Sequence, residues 1–145
     1  MQMLSFCKVG RGKGSAYTPN EEVYSKWISE VISSENKSEG EINYIFCDDE
    51  YLLEINQQYL DHDTLTDIIS FDYSMGNEIH GDVYISIERV KENAVDFNVS
   101  FEEELKRVLV HGVLHYCGYK DKTDSDEQLM RSKEDEKISM FHVKH

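Results

Sequence analysis

The sequence predicts an α+β fold, in which a single domain over residues 1–145 contains a small mixed four-stranded sheet packed with about five helices. One observation is length: 145 residues, 39% of them hydrophobic, are enough for one packed core and too few for two comfortable domains. The other is pattern, because helix-type and strand-type hydrophobic spacings alternate and a hairpin lies between βαβ units. No internal repeat or low-complexity tract competes with this interpretation.

The first half of the chain is predicted to contain two strands and two helices. Thr18 is a helix cap, a proline follows it, and Glu21 lies three residues after the cap, which is a typical helix start. Val23, Trp27 and Val31 recur at helical spacing and are expected to face the core, with Tyr24 and Ile28 as further candidates. The predicted elements are a strand over Met3–Lys8, a helix over Pro19–Ser34, a central strand over Ile42–Cys47 and a helix from Asp48 or Asp49 to Tyr59.

The middle of the chain is predicted to form a loop and a β-hairpin. Leu60–Thr66 shows no periodicity and is expected to be a loop. Two β-prone runs then flank a turn over Met75–Glu78, so that the second strand returns antiparallel to the first. The predicted strands are Asp67–Tyr73 and Gly81–Ser86.

Two helices are predicted after the hairpin. The first runs over Ser86–Phe97 and is capped by its serine. Ser100 with Glu103 forms a capping box that opens the second helix, which continues through Tyr116. Gly118 can take the left-handed conformation that ends a helix, so the second helix stops there.

A final helix is predicted from a third capping box, formed by Ser125 with Gln128. Within it, Leu129, Ile138 and Phe141 are expected to pack against the core. The charged run Lys133–Lys137 is expected to stay exposed to solvent.

Charge and hydropathy exclude several classes of function. Asp and Glu total 29 against 15 Lys and Arg, a formal net charge of −14, which argues against coating nucleic acid or anionic lipid by bulk charge. Any such partner must contact a local patch. The apolar runs fall well short of the roughly 18–20 residues that a membrane-spanning helix needs, and the basic residues near the start follow its apolar stretch, unlike a secretory signal. We expect a cytoplasmic protein without a membrane partner.

The three cysteines are Cys7, Cys47 and Cys117, an odd number spread along the chain without a CxxC pair. This pattern favours neither a disulfide framework nor a cysteine zinc site. We expect all three to be reduced and buried.

His111 and His115 carry the strongest chemical signal. They lie four residues apart on a predicted helix, so both imidazoles project from one face at a spacing that one metal ion can bridge. The helix is otherwise apolar there, and a shared cation satisfies one ring nitrogen of each histidine. After Gly118 turns the chain, Asp121 can return as a third ligand and leave an open position for water, which is the arrangement of a catalytic zinc site.

Alternatives stay open at this stage. The two histidines can instead be core residues hydrogen-bonded to carbonyl groups, and Asp124 or Asp126 can take the place of the third ligand. A zinc protease of the HExxH type is disfavoured, because Gly112 follows His111 where that mechanism needs a glutamate as general base.

The run from His111 to Tyr119, HGVLHYCGY, resembles the H-G-x-L-H-L-x-G-Y-D-H signature of the YbeY family. Asn56 with Tyr59 precedes the predicted loop as in that family. Thr66–Phe71 (TDIISF) is similar to the family's P-T-[DN]-V-L-S-F, and Gly81–Val83 (GDV) is similar to its G-D-[IV] strand. The similarity runs in order through most of the chain.

The resemblance implies a metal-dependent endoribonuclease that matures ribosomal RNA, including the 3′ end of 16S RNA, and serves ribosome assembly. With this donor set it points to one zinc ion per chain, held by His111, His115 and Asp121, with His111 also serving catalysis. Such a metal polarises a phosphate oxygen or lowers the pKa of bound water toward about 7. Single-stranded or ribosomal RNA is the implied substrate. A ribosomal particle or ribosomal proteins are the implied partners, because an acidic surface has little general affinity for RNA.

Three positions depart from the family pattern. Asp121 stands where the family has its third metal-binding histidine, Lys120 where it has an aspartate, and Leu60 where it commonly has an arginine implicated in catalysis. A carboxylate oxygen can replace an imidazole on zinc, so the ligand role is kept for Asp121. His62, two residues after Leu60, is the candidate catalytic replacement, and its alternative role is that of an ordinary surface loop residue.

Basic residues near the histidines are candidates for binding substrate phosphates. Lys120 and Lys122 flank the third ligand, and Lys106, Arg107 and Arg131 can extend the basic rim. The alternative is that these residues only solvate helix faces. Two other functions also stay open: a non-catalytic ribosome-assembly factor with a structural metal, and a metal-dependent hydrolase of a small phosphate ester or amide.

Overall fold

The computed structural model describes residues 4–8, 21–60 and 68–143 of the chain. Its elements follow the predicted order. The strands are β1 (Leu4–Lys8), β2 (Ser38–Cys47), β3 (Ile68–Asp72) and β4 (Glu78–Ser86), and the helices are α1 (Glu21–Ser34), α2 (Asp49–Leu60), α3 (Ile87–Asp96), α4 (Phe101–Tyr116) and α5 (Asp124–Val143). Within these described ranges, no helix has the length and apolar character needed to cross a membrane.

The sheet is mixed and places its strands in the order β1-β2-β4-β3. β1, β2 and β4 run parallel, and β3 pairs antiparallel with β4. The side chains of β2, β4 and β3 are described, whereas β1 is described by its backbone alone. The predicted α+β class, with a mixed sheet and five helices in the described part of the chain, is confirmed.

One face of the sheet packs against α1 and α4, and α5 packs against these two helices. Ile42, Tyr44 and Phe46 of β2 point to this side and are fully buried. The Tyr44 hydroxyl donates a hydrogen bond to the Leu109 carbonyl at 3.0 Å, which ties the central strand to the helix that carries the two histidines. α2 covers part of the opposite face, where Leu52 belongs to a smaller buried cluster.

Tyr116 anchors the last turn of α4 on the sheet. Its hydroxyl donates to the Phe71 carbonyl at 3.0 Å and lies 3.2 Å from the Asp82 carbonyl. Its ring lies directly against Gly81, where any added Cβ would collide with the ring. Because His115 immediately precedes Tyr116, this contact also fixes the position of one of the two histidines.

α1 is buried along one face. Trp27 and Val31 are buried as predicted, and so are the further candidates Tyr24 and Ile28. Val23 is 45% exposed, contrary to the prediction, because Tyr24 takes the inward position in that turn. The Trp27 indole donates to the Lys137 carbonyl at 2.8 Å, which joins α1 to α5.

Both central strands begin earlier than predicted. β2 starts at Ser38 instead of Ile42, and β4 starts at Glu78 instead of Gly81. The polar first residues of the two strands pair with each other, with a register shift between Glu39 and Ile42. Most of the added residues are polar or glycine, so hydrophobic patterning does not detect that they belong to strands.

α5 begins at Asp124, so the predicted start at Ser125 with Gln128 is wrong. Thr123 is the cap: its hydroxyl accepts the Asp126 N–H at 3.0 Å, and its own N–H lies 3.4 Å from the Asp126 carboxylate. This is a capping box with aspartate in place of glutamate, two residues before the predicted one.

The buried face of α5 differs in part from the predicted one. Ile138 is buried and Phe141 packs against the core as predicted, and Met130 is buried as well. Helical spacing also puts Glu134 and Lys137 on this side, where they are 5% and 1% exposed. The prediction that residues 133–137 all stay exposed is therefore wrong. The predicted burial of Leu129 is wrong as well, because its side chain lies outside this face and is 51% exposed.

Lys137 is a buried cation between α1 and α5. Its ammonium donates to the Glu35 carboxylate and to the Ser34 hydroxyl, both at 2.8 Å, and pairs with Glu136 at 2.9 Å. Burial lowers the pKa of Lys137, but the hydrogen bonds to Glu35 and Glu136 outweigh burial, so this pKa is raised. Burial raises the pKa of Glu35, but hydrogen bonds from Lys137 and Tyr119 outweigh burial, so that pKa is lowered. Both groups are therefore charged at neutral pH.

We expect Glu35→Gln to remove part of the acid dependence of stability. Because the pKa of Glu35 is lower in the folded chain, its contacts stabilise the fold above the ordinary value of 4.5, and that contribution is lost as the pH falls through the folded value. Urea unfolding at a series of pH values should show a smaller acid loss of unfolding free energy in Glu35→Gln than in the wild type. Glu22→Gln, an exposed change in α1, the helix that Glu35 follows, is the control. Equal acid losses in Glu35→Gln and the wild type would contradict the assignment.

Gly81→Ala is expected to lower the free energy of unfolding by about 1–3 kcal/mol, the usual range for overpacking a filled site. The added methyl group would collide with the Tyr116 ring. Urea denaturation measures the loss. Combining Gly81→Ala with Tyr116→Leu should cost less than the sum of the two single changes, because the smaller side chain makes room. Strictly additive losses would show that the two residues do not compete for space.

Candidate metal centre

α4 places His111 and His115 four residues apart near its carboxyl end. The helix is capped by Ser100, whose hydroxyl accepts the Glu103 N–H at 3.1 Å, as the predicted capping box requires. Beyond the last turn, Gly118 has φ 107°, a left-handed conformation that favours glycine. The chain therefore turns back toward the histidines immediately after the helix.

Three side-chain atoms converge at the end of α4. The Nε2 atoms of His111 and His115 lie 3.0 Å apart, and Oδ2 of Asp121 lies 3.3 Å from each of them. Among the residues that the structure describes, these three form the group whose atoms are close enough to share a metal ion. The fold thus brings together the two histidines and the aspartate that the sequence singled out.

The other ring nitrogen of each histidine is committed to an acceptor. His111 Nδ1 lies 2.6 Å from Oε2 of Glu134, and His115 Nδ1 lies 3.0 Å from the main-chain carbonyl of Tyr119. A carboxylate and a carbonyl only accept hydrogen bonds, so each Nδ1 atom carries the proton in these contacts. With Nδ1 protonated, the neutral form of each ring presents a bare Nε2 lone pair toward the other ring and toward Asp121.

Three acceptors that face one another need a cation among them. A proton on one Nε2 satisfies a single pair of acceptors, whereas a divalent metal satisfies all three. Ligands bound tetrahedrally at about 2.0–2.1 Å lie about 3.3–3.4 Å apart, close to the separations of 3.0 and 3.3 Å between these atoms. Two imidazole nitrogens and one carboxylate oxygen are also a donor set of catalytic zinc sites. The residues therefore fit a divalent metal.

The group is open to solvent. The side chains of His111, His115 and Asp121 are 23%, 30% and 41% exposed. No fourth ligating side chain from the described ranges joins them. Water or a substrate oxygen can therefore complete the coordination of a metal, as in catalytic rather than structural zinc sites.

Glu134 is the site residue that sequence reasoning missed. Its second oxygen, Oε1, accepts a hydrogen bond from Arg107 at 2.8 Å, and Arg107 also binds Asp135 at 2.7 Å. Burial lowers the pKa of Arg107, but the hydrogen bonds to Asp135 and Glu134 outweigh burial and raise it. The available signal was spacing, because Glu134 lies four residues from both Met130 and Ile138 on the buried face of α5.

The basic rim is smaller than predicted. Lys106 is buried with its ammonium 3.9 Å from the centre of the Phe141 ring, and Arg107 is bound by two carboxylates. The prediction that these two residues form a rim for phosphates is wrong, because both charges are already engaged inside the protein. Lys120 and Lys122 are exposed on either side of the third member of the group.

The remaining predicted residues lie elsewhere. Asp126 pairs with Thr123 in the capping box of α5, and Asp124 is exposed in the first turn of that helix, so neither belongs to the group that Asp121 completes. Leu60 is the last residue of α2. His62 lies outside the described residues, and its catalytic role stays a prediction.

The two described cysteine side chains are free thiols. Burial raises the pKa of Cys47 to about 12 and that of Cys117 to about 11. Thiols with such pKa values are protonated at neutral pH and are poor metal ligands. Cys47 is buried as predicted, Cys117 is half-buried, and the Cys7 side chain lies outside the described part of the chain.

The chain is similar to known proteins over most of its length. The family model described as Endoribonuclease YbeY matches residues 13–142. A protein named Endoribonuclease YbeY from Flavobacterium psychrophilum is 80% identical over 124 residues, which are 86% of this chain and 89% of that protein. A protein of the same name from Flavobacterium johnsoniae is 74% identical over the same shares of the two chains.

A solved structure shares the fold. The solution structure of a Thermotoga maritima protein is 30% identical in sequence and has a TM-score of 0.66. The match covers 94% of this chain and 88% of that chain. The likeness therefore extends through the whole sheet and its helices and is not confined to the histidine helix.

Glu134→Gln is expected to weaken metal binding about tenfold, at the lower end of the range for partners of metal-binding histidines. A neutral amide polarises the His111 ring less than a carboxylate does. Competition with a chromogenic chelator measures the affinity. Asp135→Asn is the matched control, because Asp135 contacts Arg107 without contacting His111. Equal affinities in the two variants and the wild type would remove Glu134 from the site.

Proposed function

Because this chain belongs to the YbeY endoribonuclease family, we propose that it is a zinc-dependent endoribonuclease of ribosomal RNA maturation. The observation that carries the proposal is the convergence of Nε2 of His111, Nε2 of His115 and Oδ2 of Asp121 within 3.3 Å of one another. Family membership supports cleavage of RNA. The convergent group supports a metal as the means of cleavage.

Zinc is the metal we propose, one ion per chain. Imidazole nitrogen and carboxylate oxygen are common zinc ligands, and catalytic zinc sites keep three protein ligands and one open position. A divalent metal held there supplies Lewis acidity to a phosphate oxygen or to a water molecule. The exposed side of the group, at Asp121, is the side on which an RNA phosphate has access.

His111 and His115 act as ligands rather than as proton carriers in this proposal. Each ring uses Nδ1 to donate to an acceptor and Nε2 to face the convergence point, so neither keeps a free nitrogen for proton transfer. Glu134 and the Tyr119 carbonyl hold the two rings in that orientation. Asp121 adds one negative charge, which leaves a net charge of +1 on a divalent ion and its three ligands.

The proposed substrate is single-stranded RNA presented by a ribosomal particle or its proteins. With a formal net charge of −14, the chain repels RNA at long range. Lys120 and Lys122 lie exposed beside the group and supply local positive charge. A flexible strand can bring a phosphodiester to a site recessed at a helix end more easily than a duplex can.

The Asp121 series tests the ligand set. Asp121→Ala removes a ligand and its charge and should markedly weaken metal binding, whereas Asp121→His restores a three-imidazole set and should retain metal. Elemental analysis of protein purified without chelator or metal-affinity tag should find about one zinc per chain in the wild type and in Asp121→His. Asp124→Ala is the control and should also retain zinc. Full zinc content in Asp121→Ala would show that Asp121 is not a ligand.

Cleavage of RNA tests the activity. Metal-loaded wild type should cut a single-stranded RNA that carries the 3′ end of precursor small-subunit ribosomal RNA, and His115→Ala should not. The same RNA annealed to its complement should resist cleavage. Mapping of RNA termini in a deletion strain should find extended small-subunit ends. Mature termini in that strain, or undiminished cleavage by His115→Ala, would count against the proposal.

A further inference from the structure

A cavity of about 190 Å³ adjoins His111. Its lining includes Ile68 and Val108 as an apolar floor, Phe97, and two arginines, Arg107 and Arg131. Pockets for drug-sized ligands have volumes of roughly 300–1,000 Å³. This space, which we name the His111 cavity, therefore has the size for a single ring system rather than for a dinucleotide.

Phe97 gives the His111 cavity an aromatic edge. The side chain is 59% exposed, although its backbone is held at the end of α3 by a hydrogen bond from its N–H to the Asn93 carbonyl at 2.9 Å. The next residue, Asn98, has φ 59° and turns the chain away from the helix. A flat ring on a fixed backbone, beside an apolar floor, is the arrangement on which nucleobases stack.

The charges that line the His111 cavity cancel. Glu104 and Glu134 balance Arg107 and Arg131 in formal charge, so the interior favours an uncharged group over a phosphate. Arg107 is engaged by Glu134 and Asp135. Arg131 is exposed and forms no hydrogen bond or ion pair with any residue of the described ranges. One cation at the cavity rim is therefore available to an external anion.

Arg131 also borders a second cleft, on the outer side of α5. Asp124, Glu127 and Asp135 line that cleft with it. The outer cleft has three carboxylates against one arginine, whereas the formal charges of the His111 cavity cancel, so a phosphate is repelled less on the cavity side. This direction aligns the anion with the histidine group rather than with the outer surface of the helix.

We propose that the His111 cavity is a nucleoside subsite, which holds one unpaired base of the RNA against Phe97 while Arg131 binds an adjacent phosphate. The inference rests on the proposed function, because it names the part of the substrate that lies beside the metal centre. It also supplies a physical reason for single-strand preference. A base enters the cavity only after it has left its stack and its partner, which costs least in unpaired RNA.

Steady-state cleavage of a labelled single-stranded RNA tests the aromatic edge. Phe97→Ala should raise KM about tenfold with kcat nearly unchanged, since it removes one stacking contact. Phe97→Trp keeps a flat ring and should retain the KM of the wild type. Tyr73→Ala is the matched control. Tyr73 lies in the β-hairpin, is exposed to a similar degree and does not line the cavity.

Salt dependence tests the phosphate contact. Arg131→Ala should reduce the slope of log KM against log salt concentration by about 0.7, the value for one phosphate on a single strand. Lys26→Ala changes the net charge by the same amount on the exposed side of α1 and should leave the slope unchanged. An unchanged slope in Arg131→Ala would remove this residue from the subsite.

RNAs with one abasic nucleotide, walked through the positions next to the mapped cleavage site, locate the base. An abasic nucleotide at one of these positions should raise the KM of the wild type about tenfold. The same RNA should not raise the KM of Phe97→Ala any further. If every abasic RNA affects the two proteins equally, the cavity holds no base and the subsite is wrong, while the proposed function stands. If metal-loaded wild type cuts no RNA, the proposed function is wrong. Fluorescence anisotropy of the labelled single-stranded RNA then tests the subsite separately. Tenfold weaker binding by Phe97→Ala would support the subsite. Equal dissociation constants for the wild type and Phe97→Ala would overturn it.

Discussion

The two hydrogen bonds at the Nδ1 atoms are the constraint on which the rest of the site depends. Because Glu134 and the Tyr119 carbonyl each accept an Nδ1 proton, His111 and His115 turn bare Nε2 lone pairs toward each other and toward Asp121. Three acceptors within 3.3 Å of one another are unfavourable unless a cation lies among them. The partners of the histidines therefore indicate a metal more strongly than their spacing does, because a pair of hydrogen-bonded core histidines can have the same spacing.

These two acceptors are themselves held by tertiary contacts. Glu134 is fixed by Arg107 on its other oxygen, and the Tyr119 hydroxyl donates to Glu35 at 2.8 Å. Glu35 is in turn bound by Lys137, which is 1% exposed. Exposed ion pairs contribute only about 0–1 kcal/mol to stability, whereas removal of one partner of a buried pair costs about 3–5 kcal/mol. Loss of Glu35 alone would therefore destabilise the fold and, through Tyr119, would also remove a contact that helps to orient a ring of the metal centre.

The net charge of the chain opposes general affinity for RNA, so recognition of RNA depends on the local charges at the site. A formal net charge of −14 opposes binding of any polyanion, and Asp121 and Glu134 add negative charge at the site itself. Those charges attract a divalent cation and repel a phosphate, so the proposed activity requires the cation to be in place before RNA binds. The neutral lining of the His111 cavity, with Arg131 at its rim, is compatible with a base beside that centre because a base brings no charge into it.

Local sequence determined the order of the elements, since caps and hydrophobic periodicity act within a few residues. The Ser100 capping box and the turn at Gly118 bound α4, and four-residue spacing alone puts His111 and His115 on one face of it. Only tertiary structure decided which polar residues face inward, and Glu134 on α5 is the main example. A charged residue on a buried helix face has the same local pattern as one in solvent. A buried charged residue differs from an exposed one because it has a partner that offsets the cost of burial. For Glu134 the partners are Arg107 and His111 of α4, which are distant along the chain, so short-range sequence patterns do not reveal them.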